Sequence, residues 1–273
     1  MSSLSSGILA GLLDDAAVFP PGNVPIDQAV AAHAHHRHSA YADVVGPLVV
    51  SAGHLATLSV GEPLAVAVTV PLPEVEAAIA AAGRIDGVEL RVLEVSLPAD
   101  TTADLAGLHG LPASVTVYVE VPRDARREAV LRELAGTGLR AKFRTGGVQA
   151  HLYPDEGELA RAVLAAVGAG VPFKATAGLH HALRSTDPAT GFEQHGFLNL
   201  MNATQAALAG AGEPELTALL AERDPARVAD RARTLTPAVR AAFLSFGTCS
   251  IVEPIHELAA LGLLPSDLSE DVL

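Results

Sequence analysis

Eight short β-rich runs alternate with amphipathic or alanine-rich helical segments along a chain of 273 residues. That alternation predicts an α/β fold, a (β/α)8 TIM barrel, as one domain over residues 1–273. Two observations support the prediction. The eight units fit within about 250 residues, the usual length of such barrels. The first run is followed by the Pro-rich FPPGNVP and not by G-x-G-x-x-G, which disfavours the competing doubly wound open sheet.

The strands are expected at AAVF (16–19), PLVVS (47–51), LAVAVTV (64–70), VELRVLEV (88–95), SVTVYVEV (114–121), RAKFRT (140–145), PFKAT (172–176) and SFGTCS (245–250). Each is rich in β-branched or aromatic residues and bounded by Gly, Pro or Asp. Helices are expected between them at 26–42, 72–83, 124–138 and 157–170, with shorter ones in GHLATL and TADLAGL. The segment GLHHALRSTDPATGFEQHG (178–196) follows the seventh strand, and about three helices follow it before the eighth. The whole stretch 178–243 reads as a lid loop plus inserted helices, because a long structureless loop in a compact domain is usually functional.

Hydrophobic residues make up 49% of the chain and charged residues 18%, enough apolar surface for a large core. A net charge of −13 without a basic tail argues against nucleic acid or an anionic membrane as partner. No apolar run is long enough to cross a bilayer. The single cysteine, Cys249, precludes an internal disulfide and fits a reducing, cytoplasmic setting. The N-terminal MSSLSSGILAGLL lacks a basic n-region and reads as mature protein, not as a signal peptide.

Only two of the 18 basic residues are lysines, Lys142 and Lys174, and each sits inside a Gly-ended apolar strand, LRAKFRTGG and VPFKATAG. Lysine can lose its proton when desolvated and arginine effectively cannot. In a barrel strand side chains alternate between the interior and the helix layer. If Phe143, Phe173, Phe246 and the valines 115, 117 and 119 face the helices, then Tyr118, Glu120, Lys142, Arg144, Lys174, Thr176 and Cys249 face inward near the C-terminal mouth. The fourth strand is ambiguous, with either Glu89 and Arg91 or Glu94 and Ser96 inward.

This inventory predicts a cation-rich pocket for a small anionic substrate. Repulsion among the cations is expected to depress a lysine pKa and free an amine for carbonyl chemistry, so that either lysine could be truncated without unfolding the chain. Glu120 would move protons, and Arg144 would hold a carboxylate or phosphate. Gly146, Gly147 and the Gly178 turn would offer backbone N–H groups, with Thr176 and Tyr118 beside them. His180, His181 and Arg184 would approach from the lid. The reaction class expected is a lyase or aldolase, or an isomerase, acting next to a carbonyl without a cofactor. The same residues could instead form a buried charge network, Cys249 being a small hydrophobe within it.

The lysines ending strands six and seven, in the K-x-x-T-G-G and K-A-T-A-G contexts, resemble the class I (Schiff-base) TIM-barrel aldolases of the deoxyribose-phosphate aldolase type. The resemblance implies Lys142 as nucleophile and Lys174 as the group that lowers its pKa. It covers about a dozen residues, and Arg144 stands where that family has a small residue.

Histidines offer a different class of answer. With Glu120, Asp14 or Asp15 and His195, one of His180 and His181 could hold a divalent metal, giving a metal-dependent lyase or hydrolase. HAHHRH (33–38) lies on the second half of the first helix, away from the mouth, and reads as a solvated face or an interface patch; a homo-oligomer stays open. A third reading is a non-catalytic, metabolite-binding barrel.

Overall fold

The computed structural model describes residue 4, residues 6–99, residues 105–265 and residue 268. Eight parallel strands close into a barrel: β1 (Leu13–Asp15), β2 (Val45–Ser51), β3 (Leu64–Pro71), β4 (Val88–Ser96), β5 (Thr116–Glu120), β6 (Arg140–Arg144) and β7 (Phe173–Thr176) in sequence order around the ring. A two-stranded antiparallel hairpin, β8 (Ser185–Thr186) with β9 (Glu193–Gln194), intervenes before the last barrel strand, β10 (Phe243–Thr248), which pairs with both β7 and β1. The chain therefore has the (β/α)8 architecture. That fold commonly carries enzymes, with active sites at the C-terminal ends of the strands.

Helices Ile26–Arg37, Val75–Ala82, Arg127–Leu134 and Glu156–Gly168 occupy the expected connections. The last starts where sequence chemistry dictates: the Asp155 side chain accepts the Glu158 N–H at 2.7 Å, and Leu159, Ala160, Val163 and Ala166 bury one face. The two shorter connections are single 3-10 turns, Ala52–Ala56 and Ala106–Leu108; the start of TADLAGL lies outside the described residues. Four helices, not three, precede β10: Phe197–Leu208, Glu213–Ala221, Pro225–Ala232 and Pro237–Ala242. Phe197 stacks on Phe246 with ring centroids 4.8 Å apart, while Phe143, Phe173 and Phe243 form a continuous aromatic seam. These rings fix the helix-facing side of β6, β7 and β10, and the alternate residues are thereby committed to the interior.

Two expectations need correction, and one alternative is decided. The first strand is LDD, not AAVF, because its two aspartates are both satisfied: Asp14 turns inward to Lys174, and Asp15 turns outward to His33. HAHHRH is accordingly not just a solvated face, since His33 is buried with Nδ1 3.0 Å from Asp15 Oδ2. In β4 the register against β3 skips one residue: Val66 pairs with Leu90, and Ala67 pairs with Val92. Arg91 is thus an extra, unpaired residue, a bulge. Glu94 is buried, whereas Glu89 and Arg91 are exposed and pair with each other at 2.5 Å.

Candidate active site

Lys142 and Lys174 are register partners across β6 and β7, as Glu120 and Lys142 are across β5 and β6. A cavity of about 480 Å³ opens at the C-terminal end of the barrel, and Lys142, Glu94, Glu120, Arg144, Thr176, Gly147, His180 and Cys249 are among its walls. Lys174 is not. It lies one layer down, its side chain 1% exposed, with Nζ donating to Asp14 Oδ2 at 2.5 Å and to Glu94 Oε1. Asp14 Oδ2 also accepts from Ser245 Oγ at 2.7 Å. Tyr118 is buried at this lower level, its ring centroid 5.4 Å from Lys174 Nζ, and does not reach the cavity.

Above this layer, Lys142 Nζ sits 2.9 Å from Glu94 Oε2 and 3.1 Å from Glu120 Oε2. Glu94 thus divides its two oxygens between the two ammonium groups, Oε1 to Lys174 and Oε2 to Lys142. Glu120 Oε1 accepts from Arg144 Nε at 2.9 Å. Three cations, Lys142, Lys174 and Arg144, thus interleave with three carboxylates, Asp14, Glu94 and Glu120.

That balance overturns the expected depression of a lysine pKa. Burial alone would lower Lys142, but Glu94 and Glu120 outweigh it and the net direction is upward. Lys174 is raised too, because Asp14 and Glu94 outweigh its burial. Burial would raise Glu94, yet the two ammonium groups hold it at about 2. Glu120 is lowered: burial opposes this, but Lys142 and Arg144 prevail. Asp14, whose cation is shared with Glu94, is raised by burial. In the unliganded site both lysines are ammonium ions.

Other candidates are placed elsewhere. Gly146 and Gly178 pack Cα against Cα beneath the Tyr153 ring; a Cβ at Gly146 would fall 2.6 Å from Tyr153 Cε1, and one at Gly178 2.8 Å from it. The first and third glycines expected to cradle an anion therefore serve close packing. Gly147 reaches the cavity, over the Leu152 side chain. His180 lines the mouth, Nδ1 3.2 Å from Cys249 Sγ, and burial lowers its pKa while raising that of the thiol to about 11. His181 turns away to Glu257 at 2.7 Å. Arg184 is buried and bound to Glu156 at 2.7 Å and Glu193 at 3.2 Å, so it anchors segment 178–196 instead of reaching for a ligand. His195 is likewise sealed, Nε2 2.8 Å from Pro154 O. Residues 178–196 are hence not a structureless lid: they hold the β8–β9 hairpin, and Leu179, Ala182 and His195 are fully buried.

Among the described residues no three His, Cys, Asp or Glu side chains gather as a metal-holding group. No helix among them is long and apolar enough to cross a membrane. Sequence reasoning left Glu94 unresolved and considered Asp14 only as a metal ligand. The signal for both was available in the count of interior cations, since buried ammonium groups require carboxylates. Comparison with protein-family models, with curated proteins and with solved structures finds no match.

Proposed function

We propose that the protein is a carbon–carbon lyase of the aldolase class, acting next to the carbonyl of a small anionic molecule, with Lys142 as the amine that engages the carbonyl. One observation carries the reading: of two lysines in register, Lys142 alone faces the cavity, with a carboxylate on either side of its Nζ. Lys174 and Asp14 act as positioning residues that orient Glu94 from below.

The chemistry requires Lys142 to shed a proton, and because Glu94 and Glu120 are lowered in pKa by the same cations, that proton leaves through the cavity and not to either carboxylate. The free amine then attacks the carbonyl carbon to give a carbinolamine, which expels water to form an iminium ion. Glu120 takes the proton of the β-hydroxyl as the bond between the α and β carbons breaks. An aldehyde leaves, and the electron pair rests in the enamine. Protonation of the enamine carbon and hydrolysis return the amine and the second carbonyl product. Because the resting amine is protonated, the rate should rise as pH increases from 6 to 9.

The upward pKa of Lys142 favours one second reading. Kept as an ammonium, Lys142 would donate N–H to a carbonyl oxygen and stabilise an enolate, the route of an isomerase or of a lyase that forms no adduct. Borohydride reduction with a panel of aldehydes and oxo acids, followed by mass mapping, separates the two. A reduced adduct on Lys142 supports the amine route. Turnover without an adduct, lost in Lys142→Ala and partly kept in Lys142→Arg, supports the ammonium. Neither turnover nor adduct with any carbonyl compound leaves a metabolite-binding barrel. A rate abolished by chelator and restored by a divalent ion would point instead to metal chemistry.

A further inference from the structure

The cavity is two-sided. Its charged wall comes from β4, β5 and β6, through Glu94, Glu120, Lys142 and Arg144. Across from these stand Phe19, Pro20, Val49 and Val70, with Ser51 of β2 and Thr69 of β3 among them. A polyhydroxylated substrate would find few partners for its hydroxyl groups on that mostly apolar side, at a cost in affinity.

The usual phosphate position of this fold, at the loops after the seventh and eighth barrel strands, is closed. Tyr153 fills the space over Gly146 and Gly178. After β10, Ser250 Oγ already accepts the Glu253 N–H, and Ser250 N–H is turned to Thr248 Oγ1. Formal charges on the cavity wall are Glu74, Glu94 and Glu120 against Lys142 and Arg144, and His180 is held neutral by burial. The residues outside the description add no cation, since 1–3, 5, 100–104, 266–267 and 269–273 contain neither Lys nor Arg. A dianion entering there meets net negative charge. A single carboxylate on Arg144 meets the same excess with one charge instead of two, at a smaller cost.

Glu120 supplies the spacing. Its two oxygens bridge the amine and the guanidinium, Oε2 3.1 Å from Lys142 Nζ and Oε1 2.9 Å from Arg144 Nε. A molecule whose carboxylate and carbonyl are on adjacent carbons presents two oxygens at a comparable separation. Resting on the carbonyl-directed reading above, we infer that the substrate class is a 2-oxo monocarboxylic acid with an apolar alkyl or aryl tail, bearing on C4 the hydroxyl that the cleavage requires, with simple 2-oxo acids as its binding analogues. Its carbonyl lies at Lys142, its carboxylate on Arg144 and its tail against Phe19 and Val70. Phosphorylated sugars should bind more weakly than such acids.

The test titrates the whole protein with pyruvate, 2-oxobutanoate, 2-oxohexanoate, phenylpyruvate and glyceraldehyde 3-phosphate, reading thermal shift and borohydride trapping in parallel. Half-saturation should fall at least tenfold from pyruvate to 2-oxohexanoate, and the sugar phosphate should neither shift the transition nor trap. In Arg144→Ala the preference for the acid over the matching aldehyde should vanish. Equal or better binding of glyceraldehyde 3-phosphate, or no gain with tail length, overturns the inference while leaving the amine route standing if adducts form. Tail-dependent binding without any adduct supports the substrate class and removes the amine route. Absence of binding across the series overturns it outright.

Discussion

Lys142 and Lys174 occupy matched positions on β6 and β7, share Glu94 as a counter-ion, and are raised in pKa for the same reason. They differ in what lies on the far side of each. Lys142 has the cavity and a second carboxylate, Glu120, that Arg144 also serves; Lys174 has Asp14, Ser245 and the Tyr118 ring, with no water-filled space. A step of one layer in depth separates an ammonium that can meet a ligand from one that holds the interior together. Truncating the two should therefore give opposite balances of stability and activity.

The largest effect is expected at Lys174. Lys174→Met removes the one cation hydrogen-bonded to Asp14 among the described residues and leaves Glu94 half-paired, both deeply buried. The cost should be about 3–5 kcal/mol, read as a drop in the urea midpoint. An unchanged midpoint would erase the distinction between the two lysines. This replaces the expectation that either lysine could be truncated harmlessly. Lys142→Met should lose activity while costing only about 1–2 kcal/mol, because Glu94 keeps Lys174 and Glu120 keeps Arg144. A loss as large as that of Lys174→Met would make the upper layer structural as well.

Acid should sharpen the contrast. Glu94 has a folded pKa of about 2 against an ordinary 4.5, so its stabilisation is complete above pH 4.5 and disappears as pH falls from 4.5 through 2. Asp14, raised, works in the opposite direction and makes that stage shallower. His195, sealed under segment 178–196, is depressed to about 4 from 6.5; its contribution is complete above pH 6.5 and is lost as pH falls toward 4. Urea midpoints measured from pH 7 to 3 should decline in those two stages, and His195→Gln should flatten the first alone. The smallest effect is expected for His181→Ala, whose partly exposed pair with Glu257 should contribute about 0–1 kcal/mol. Activity should be unchanged, and a loss would restore His181 to the mouth.

The barrel was legible from the eight alternations of strand and helix, and the parity set by Phe143 and Phe173 placed Lys142, Arg144, Lys174 and Thr176 inward. What escaped were features in which a local rule yields to a distant partner. The first strand was placed at AAVF because the two charges of LDD have no visible reason to enter a barrel until Lys174 and His33 are set beside them. Arg184 looks like a ligand-seeking arginine until Glu156, at the start of the helix Glu156–Gly168, is found against it. The sign of the lysine shift followed the cations that could be counted along two strands, while the carboxylates that reverse it come from β1, β4 and β5.

The bulge in β4 separates strand length from side-chain direction. Leu90 and Val92 already sit opposite consecutive residues of β3, Val66 and Ala67, with Arg91 looped out between them. Excising Arg91 would close the ladder without shifting Leu93, Glu94 or Val95 against their partners, so Glu94 would still aim at both lysines. Removing Val92 or Leu93 instead leaves the chain equally long but forces a choice between realigning the bulge and turning Glu94 into the helix layer. A single-codon deletion, ordinarily ruinous in a barrel strand, thus has a tolerant address in β4, and that address is a surface arginine beside Glu89.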